Sequence, residues 1–200
     1  MKKNLLLALL ALTVGLNAQN FTEVSTFITP LIFASADFAD YDNDGDQDLA
    51  VIGVDNNFAD IARIYRNDEG EFVDANITLS PMHMGAVSWV DYDGDGDFDL
   101  FLSGQDYSSN AFATIYKNTN GNFSPSSVSL PGGFWNSAGW GDYDNDGDVD
   151  LAYSWYSENT AHSAIFKNGD GVFTDINANL SGMTAGSMEW GDFDKDGDLD

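Results

Sequence analysis

An acidic nonapeptide occurs four times in this chain: DYDNDGDQD from Asp40, DYDGDGDFD from Asp91, DYDNDGDVD from Asp142 and DFDKDGDLD from Asp192. The starts lie 51, 51 and 50 residues apart, so the chain is built from a repeat. A fixed period in this range means supersecondary units that bury apolar surface against their neighbours rather than one core closed on itself.

The alternation inside the nonapeptide is that of a cation-binding loop. Aspartates at its first, third, fifth and ninth positions supply hard oxygen donors, and glycine at the sixth permits the sharp turn that folds them round one centre. In the first copy these are Asp40, Asp42, Asp44 and Asp48, with Gly45 at the bend. The seventh residue, Asp46, is expected to present its backbone carbonyl while its side chain stays in water. Oxygen donors without nitrogen or sulfur suit calcium, because magnesium holds a tighter octahedron and keeps its water, and zinc takes His or Cys. One calcium ion per loop, up to four in all, is therefore the expected cofactor.

Without a cation the loop is frustrated: two like charges about 4 Å apart repel by roughly 4 kcal/mol at an effective dielectric near 20. A single Asp-Gly run also reads as a solvated turn, but four copies in register do not. The loop differs from an EF-hand, which needs a bidentate Glu at its twelfth position, where Val51, Leu102 and Tyr153 stand here. Instead the ninth Asp runs straight into apolar segments at 49–52, 100–102 and 151–153 that read as buried strands. The loop thus joins two strands.

Aligning the copies also aligns Phe38, Trp89, Trp140 and Trp190, and the recurrence of Trp89, Trp140 and Trp190 favours packing between units over ligand contact. Ile64-Tyr65-Arg66-Asn67, Ile115-Tyr116-Lys117-Asn118 and Ile165-Phe166-Lys167-Asn168 follow the second strand. A turn ending in Gly70, Gly121 or Gly171 comes next, and then Phe72, Phe123 or Phe173 opens a further strand. Four short strands per repeat, joined by tight turns, are the signature of a propeller blade.

These units resemble the FG-GAP or VCBS repeats of integrin alpha propellers and of many secreted bacterial proteins, across residues 21–200. The shared element is the D-x-D-x-D-G-x-x-D-L loop between the first two strands of a blade. The resemblance implies calcium ligation at Asp40, Asp42, Asp44, Asp46 and Asp48, and equally at Asp91, Asp93, Asp95, Asp97 and Asp99. It implies the same for Asp142, Asp144, Asp146, Asp148 and Asp150, and for Asp192, Asp194, Asp196, Asp198 and Asp200. The Gly-Ala-Pro element of the family is missing after each loop, where Ile52-Gly53-Val54 and Ser103-Gly104-Gln105 stand. That places the chain nearer the bacterial VCBS type.

The expected fold is all-β, a propeller of four-stranded antiparallel blades with repeat units at about 21–71, 72–122, 123–172 and 173–200. Three blades are complete and a fourth is begun, and the resemblance implies a ring of about seven. The chain reads as the N-terminal fragment of a longer protein, and residues 21–24 as an outer strand that latches the ring.

Charge narrows the partners. The formal net charge is -26, and the four loops carry 20 of the 33 acidic side chains. The negative field argues against nucleic acid and anionic membrane surfaces. Lys2 and Lys3 precede an apolar stretch over residues 5–14 and a short exit to Ala18, the pattern of a signal peptide over residues 1–18. That stretch is too short to span a bilayer, so the expected location is secreted or cell-surface.

In an up-and-down blade the acidic loops lie at one end and the turn after the second strand at the other. Ligand-binding candidates at that other end are Tyr107, Trp135, Tyr156, His83 and His162. Exposed aromatics there suit an extracellular glycan or protein ligand. The two histidines are expected in surface loops, with no nucleophile motif beside either and no catalytic constellation in the chain. The function expected is a non-catalytic binding or adhesion module held rigid by calcium, the alternative being the propeller domain of a secreted polysaccharide-degrading enzyme.

Overall fold

The computed structural model describes residues 28–200. The expected signal peptide and the expected outer strand at 21–24 lie outside the described residues. Twelve strands follow one another: β1 (Ile32–Ala39), β2 (Asp48–Val54), β3 (Asp60–Asp68), β4 (Glu71–Asp74), β5 (His83–Val90) and β6 (Asp99–Gln105), then β7 (Ala111–Thr119), β8 (Asn122–Pro125), β9 (Phe134–Gly141), β10 (Asp150–Ser157), β11 (Thr160–Gly169) and β12 (Val172–Asp175). They form three four-stranded sheets in which sequence order equals spatial order, every pairing antiparallel. The described residues contain no helix and close no ring.

Burial explains the apolar runs. Every residue of β2 is buried, and so are all but the end residues of β6 and β10. A strand covered on both faces reads as an unbroken apolar segment rather than an alternation. The cover comes from the neighbouring sheets. Ile52 and Ile64 of the first sheet pack with Met82, Val87, Leu100 and Leu102, while Phe101 and Ile115 of the second pack with Leu151, Tyr153 and Phe166 of the third. The core therefore lies between blades, and each blade depends on the next.

Short turns set the register. The β3–β4, β7–β8 and β11–β12 hairpins turn on Glu69-Gly70, Asn120-Gly121 and Asp170-Gly171, with φ of 54° and 99°, 51° and 82°, and 53° and 80°. Two successive left-handed residues match the twist of the flanking strands. Each sheet ends with a short strand whose second residue is Phe72, Phe123 or Phe173, so the first sheet runs from Ile32 to Asp74 across the boundary between sequence units. Residues 176–200 hold no strand; Met183 bridges His162, and the fourth acidic loop follows.

Candidate metal centre

Each of the first three acidic loops connects the first and second strands of a sheet, and its shape comes from its own backbone donors. Asp40 accepts from the N–H groups of Asp44 at 3.0 Å and Gly45 at 2.9 Å, and Asp44 accepts from Asp46 N–H at 2.9 Å. Asp91 and Asp142 do the same at 3.0 to 3.1 Å. The loop needs left-handed backbone at its fourth and sixth positions: φ is 61° at Asn43 and 101° at Gly45, and 58° at Asn145 and 99° at Gly147. Asn and Gly are the residues that adopt it at least cost.

The ninth aspartate is the anchor. Asp48, Asp99 and Asp150 are fully buried. In each, one carboxylate oxygen accepts from the N–H of the loop's second residue: Tyr41 at 3.1 Å, Tyr92 at 3.3 Å and Tyr143 at 3.1 Å. The other accepts from the N–H of Asn67 at 2.8 Å, Asn118 at 2.7 Å and Asn168 at 2.7 Å, in the third strand. Each oxygen keeps a further lone pair. Burial pushes Asp48 up to about 6 and Asp99 up to about 7, against the opposing pull of those N–H donors, and raises Asp150 in the same way.

Three carboxylates in each loop bring an oxygen within 4.8 Å of one another: Asp40, Asp42 and Asp48; Asp91, Asp93 and Asp99; Asp142, Asp144 and Asp146; Asp192, Asp194 and Asp200. Asp42 Oδ1 and Asp93 Oδ1 are buried without any hydrogen-bond partner. Burial and the repulsion of Asp44 raise Asp42 above the ordinary carboxylate range. A buried acceptor without a donor is costly, and a cation among these oxygens would satisfy it. The donor set fits a hard divalent ion.

The structure corrects the expectation for the loop's seventh residue. The seventh side chain is not left in water: Asp46 accepts from Glu69 N–H at 2.8 Å, Asp97 from Asn120 N–H at 2.9 Å and Asp148 from Asp170 N–H at 2.9 Å. It ties the loop to the hairpin after the third strand. It also joins loops of successive blades, since Asn43 Nδ2 donates to Asp97 at 3.2 Å and Asn145 Nδ2 to Asp198 at 2.7 Å.

The Asn that ends each of the Ile-Tyr-Arg-Asn, Ile-Tyr-Lys-Asn and Ile-Phe-Lys-Asn segments serves the site, although its residue type alone does not point to it. Asn118 Nδ2 donates to Phe98 O of its own loop at 3.0 Å and to Tyr41 O of the preceding loop at 2.8 Å. Asn168 repeats this with Val149 O at 3.1 Å and Tyr92 O at 2.7 Å. The recurring tryptophan completes the junction: Trp89 stacks on Tyr41 with centroids 5.6 Å apart, and Trp190 on Tyr143 at 5.7 Å. Asn67, Asn118 and Asn168 recur at one repeat position, a periodicity in the sequence that points to a shared role.

At the opposite ends of the sheets, Trp135 and Tyr156 come together with Phe134, ring centroids 5.0 to 5.7 Å apart, and Trp135 is 43% exposed. Tyr107 is 76% exposed, and its N–H donates to Asp60 Oδ2 at 2.6 Å. The histidines are not in surface loops. His83 opens β5 and is buried, its Nδ1 2.7 Å from Asp60 Oδ1 of the preceding blade and its Nε2 3.4 Å from Gln105 Nε2. His162 lies within β11 with its ring stacked on Trp155 at 5.0 Å. A buried imidazole needs a hydrogen-bond partner, and Asp60 supplies it to His83.

Compared with known families, residues 40–102, 91–153 and 142–200 each match the family described as FG-GAP-like repeat. No curated protein matches the chain.

Proposed function

This chain belongs to the FG-GAP-like repeat family, and we propose that it is a secreted, calcium-binding propeller module that binds an extracellular glycan or protein without catalysis. The observation that carries the calcium reading is the pair of buried, unpartnered oxygens, Asp42 Oδ1 and Asp93 Oδ1, inside clusters of three carboxylates. Calcium takes six to eight oxygens in flexible geometry. In the first loop Asp40, Asp42, Asp44 and Asp48 would hold it, and the corresponding residues would do so in the other loops. Bound, the ion supplies positive charge that lets like-charged carboxylates sit together.

The protein's own residues carry that order outward. Asp48, Asp99 and Asp150 clamp loop to third strand, while Asn118 and Asn168 clamp loop to preceding loop. An ion that fixes one loop therefore fixes the contact between two blades. The ligand surface is assigned to the other end, around Trp135, Tyr156 and Tyr107, where the exposed rings of Tyr107 and Trp135 and the partly exposed Tyr156 beside Trp135 suit stacking on a sugar or a protein side chain. Secretion is supported by the N-terminal pattern of Lys2, Lys3 and the apolar stretch after them. Among the described residues no helix is long and apolar enough to cross a membrane.

Calorimetric titration with calcium, followed by a glycan and matrix-protein array with the calcium-loaded protein, tests both halves. Binding in the micromolar to millimolar range typical of such loops supports the first. Capture that is lost on Trp135→Ala supports the second, and turnover of a polysaccharide would point to the enzyme alternative instead.

A further inference from the structure

We infer that Lys117 and Lys167 are exchangeable internal counter-ions, so that the three described complete blades do not load calcium alike. The inference rests on the calcium reading above. Lys117 Nζ donates to Asp93 Oδ2 and lies 3.0 Å from Asp95 Oδ2; Lys167 Nζ donates to Asp144 Oδ2 and lies 2.9 Å from Asp146 Oδ2. In both loops one ammonium spans the third and fifth carboxylates, two of the four that a calcium ion would take. Arg66 occupies the same repeat position in the first blade but donates to Asp68 at 2.8 Å, outside the loop. Among the described residues no Lys or Arg forms an ion pair with Asp42 or Asp44.

An ammonium and a dication drawn to the same pair of carboxylates repel each other at that range, so calcium entering the loop works against the lysine. The ammonium sits on a flexible four-carbon stem, so it can withdraw to water at small cost. It also fails to reach Asp93 Oδ1, which stays unpartnered. The lysine therefore keeps its loop gathered when calcium is scarce and must be displaced when calcium binds. The first loop has no such competitor, is the more strongly self-repelling of the set, and fills at the lowest calcium concentration.

Calcium titration of the full chain, followed through the separate amide signals of Gly45, Gly96 and Gly147, reads each loop by itself. The expected order is Gly45 first, then Gly96 and Gly147. Lys117→Met should lower the midpoint at Gly96 roughly fivefold and lower the metal-free melting temperature, opposite signs that a salt bridge with only a structural role would not produce. Arg66→Met removes the same charge from the same repeat position and should leave the Gly45 midpoint within about twofold. Equal midpoints in the wild type, or equal effects of Lys117→Met and Arg66→Met, overturn the counter-ion assignment while leaving the calcium reading standing. If no loop responds to calcium, the reading beneath it falls as well.

Discussion

The side-chain amide of Asn118 donates to the carbonyl of Tyr41, 77 residues earlier in the chain and in the preceding blade, at 2.8 Å. The same amide holds Phe98 O, and Asn118 Oδ1 accepts from Gly121 N–H at 2.7 Å. One fully buried side chain thus joins two acidic loops and a hairpin.

Asn118→Ala should accordingly destabilise the protein by about 3 kcal/mol, because it strands buried carbonyls that water cannot reach. Asn118→Asp should do no better, since it replaces the donor by an acceptor. Asn67→Ala should cost less, as its amide donates to Gln47 O alone and at an exposed site. Denaturant unfolding of the calcium-loaded variants measures the order.

Asp42→Asn separates folding from metal binding. The carboxylate has an unpartnered buried oxygen and is repelled by Asp44 and Asp40, so a neutral amide should raise metal-free stability, by about 1 kcal/mol. The same change removes a ligand and should weaken calcium binding at the first loop tenfold or more, on the order of 1.4 kcal/mol. Loss of stability in the metal-free state together with unchanged calcium affinity would show that the group has neither role.

Acidity should act in opposite directions with and without calcium. Burial pushes the carboxyls of Asp48 and Asp99 up to about 6 and about 7 in the metal-free fold, well above the ordinary value of about 3.9. Their contribution to stability is fully present below that ordinary value and is lost as pH rises through the folded values. Metal-free protein should therefore melt lower at about pH 7.5 than at about pH 5. Calcium favours the ionised carboxylates, so saturating metal should abolish or invert that slope. Thermal melts at both pH values, each with and without metal, check the sign.

Trp89 should be the costliest aromatic to remove. It is buried, stacks on Tyr41, packs against Phe123 at 6.0 Å and donates through Nε1 to Asp37 O at 3.2 Å. Trp89→Ala should cost about 3 to 5 kcal/mol, and Trp89→Phe, the residue found at this repeat position in the first blade as Phe38, clearly less. Unfolding free energies of the two variants decide it.

Much of this was readable in the chain because repetition multiplies weak signals. The Asp-rich loops, the apolar strand after each and the Gly-containing hairpins recur in register, and the three sheets follow from them. Interactions that reach across blades were not readable. Asp46 looks like a solvated carboxylate until the hairpin at Glu69, 23 residues on, folds against it. His83 looks like a loop residue because its partner Asp60 occurs once only: the matching repeat positions hold Ala111 and Ala161, while Phe134 matches His83. A contact made in a single copy leaves no periodic trace. Lys117 and Arg66 share a repeat position yet turn to different carboxylates, which residue type alone does not decide.

The most direct measurement is a thermal melt of the full chain stripped with a chelator, against the same protein with calcium added up to millimolar concentration. At about 100 times the dissociation constant, one site adds about 2.7 kcal/mol, so several filled loops should raise the melting temperature by many degrees. Superimposable melts, with no heat of binding in the matching titration, would contradict the claim that divalent ions hold these blades together.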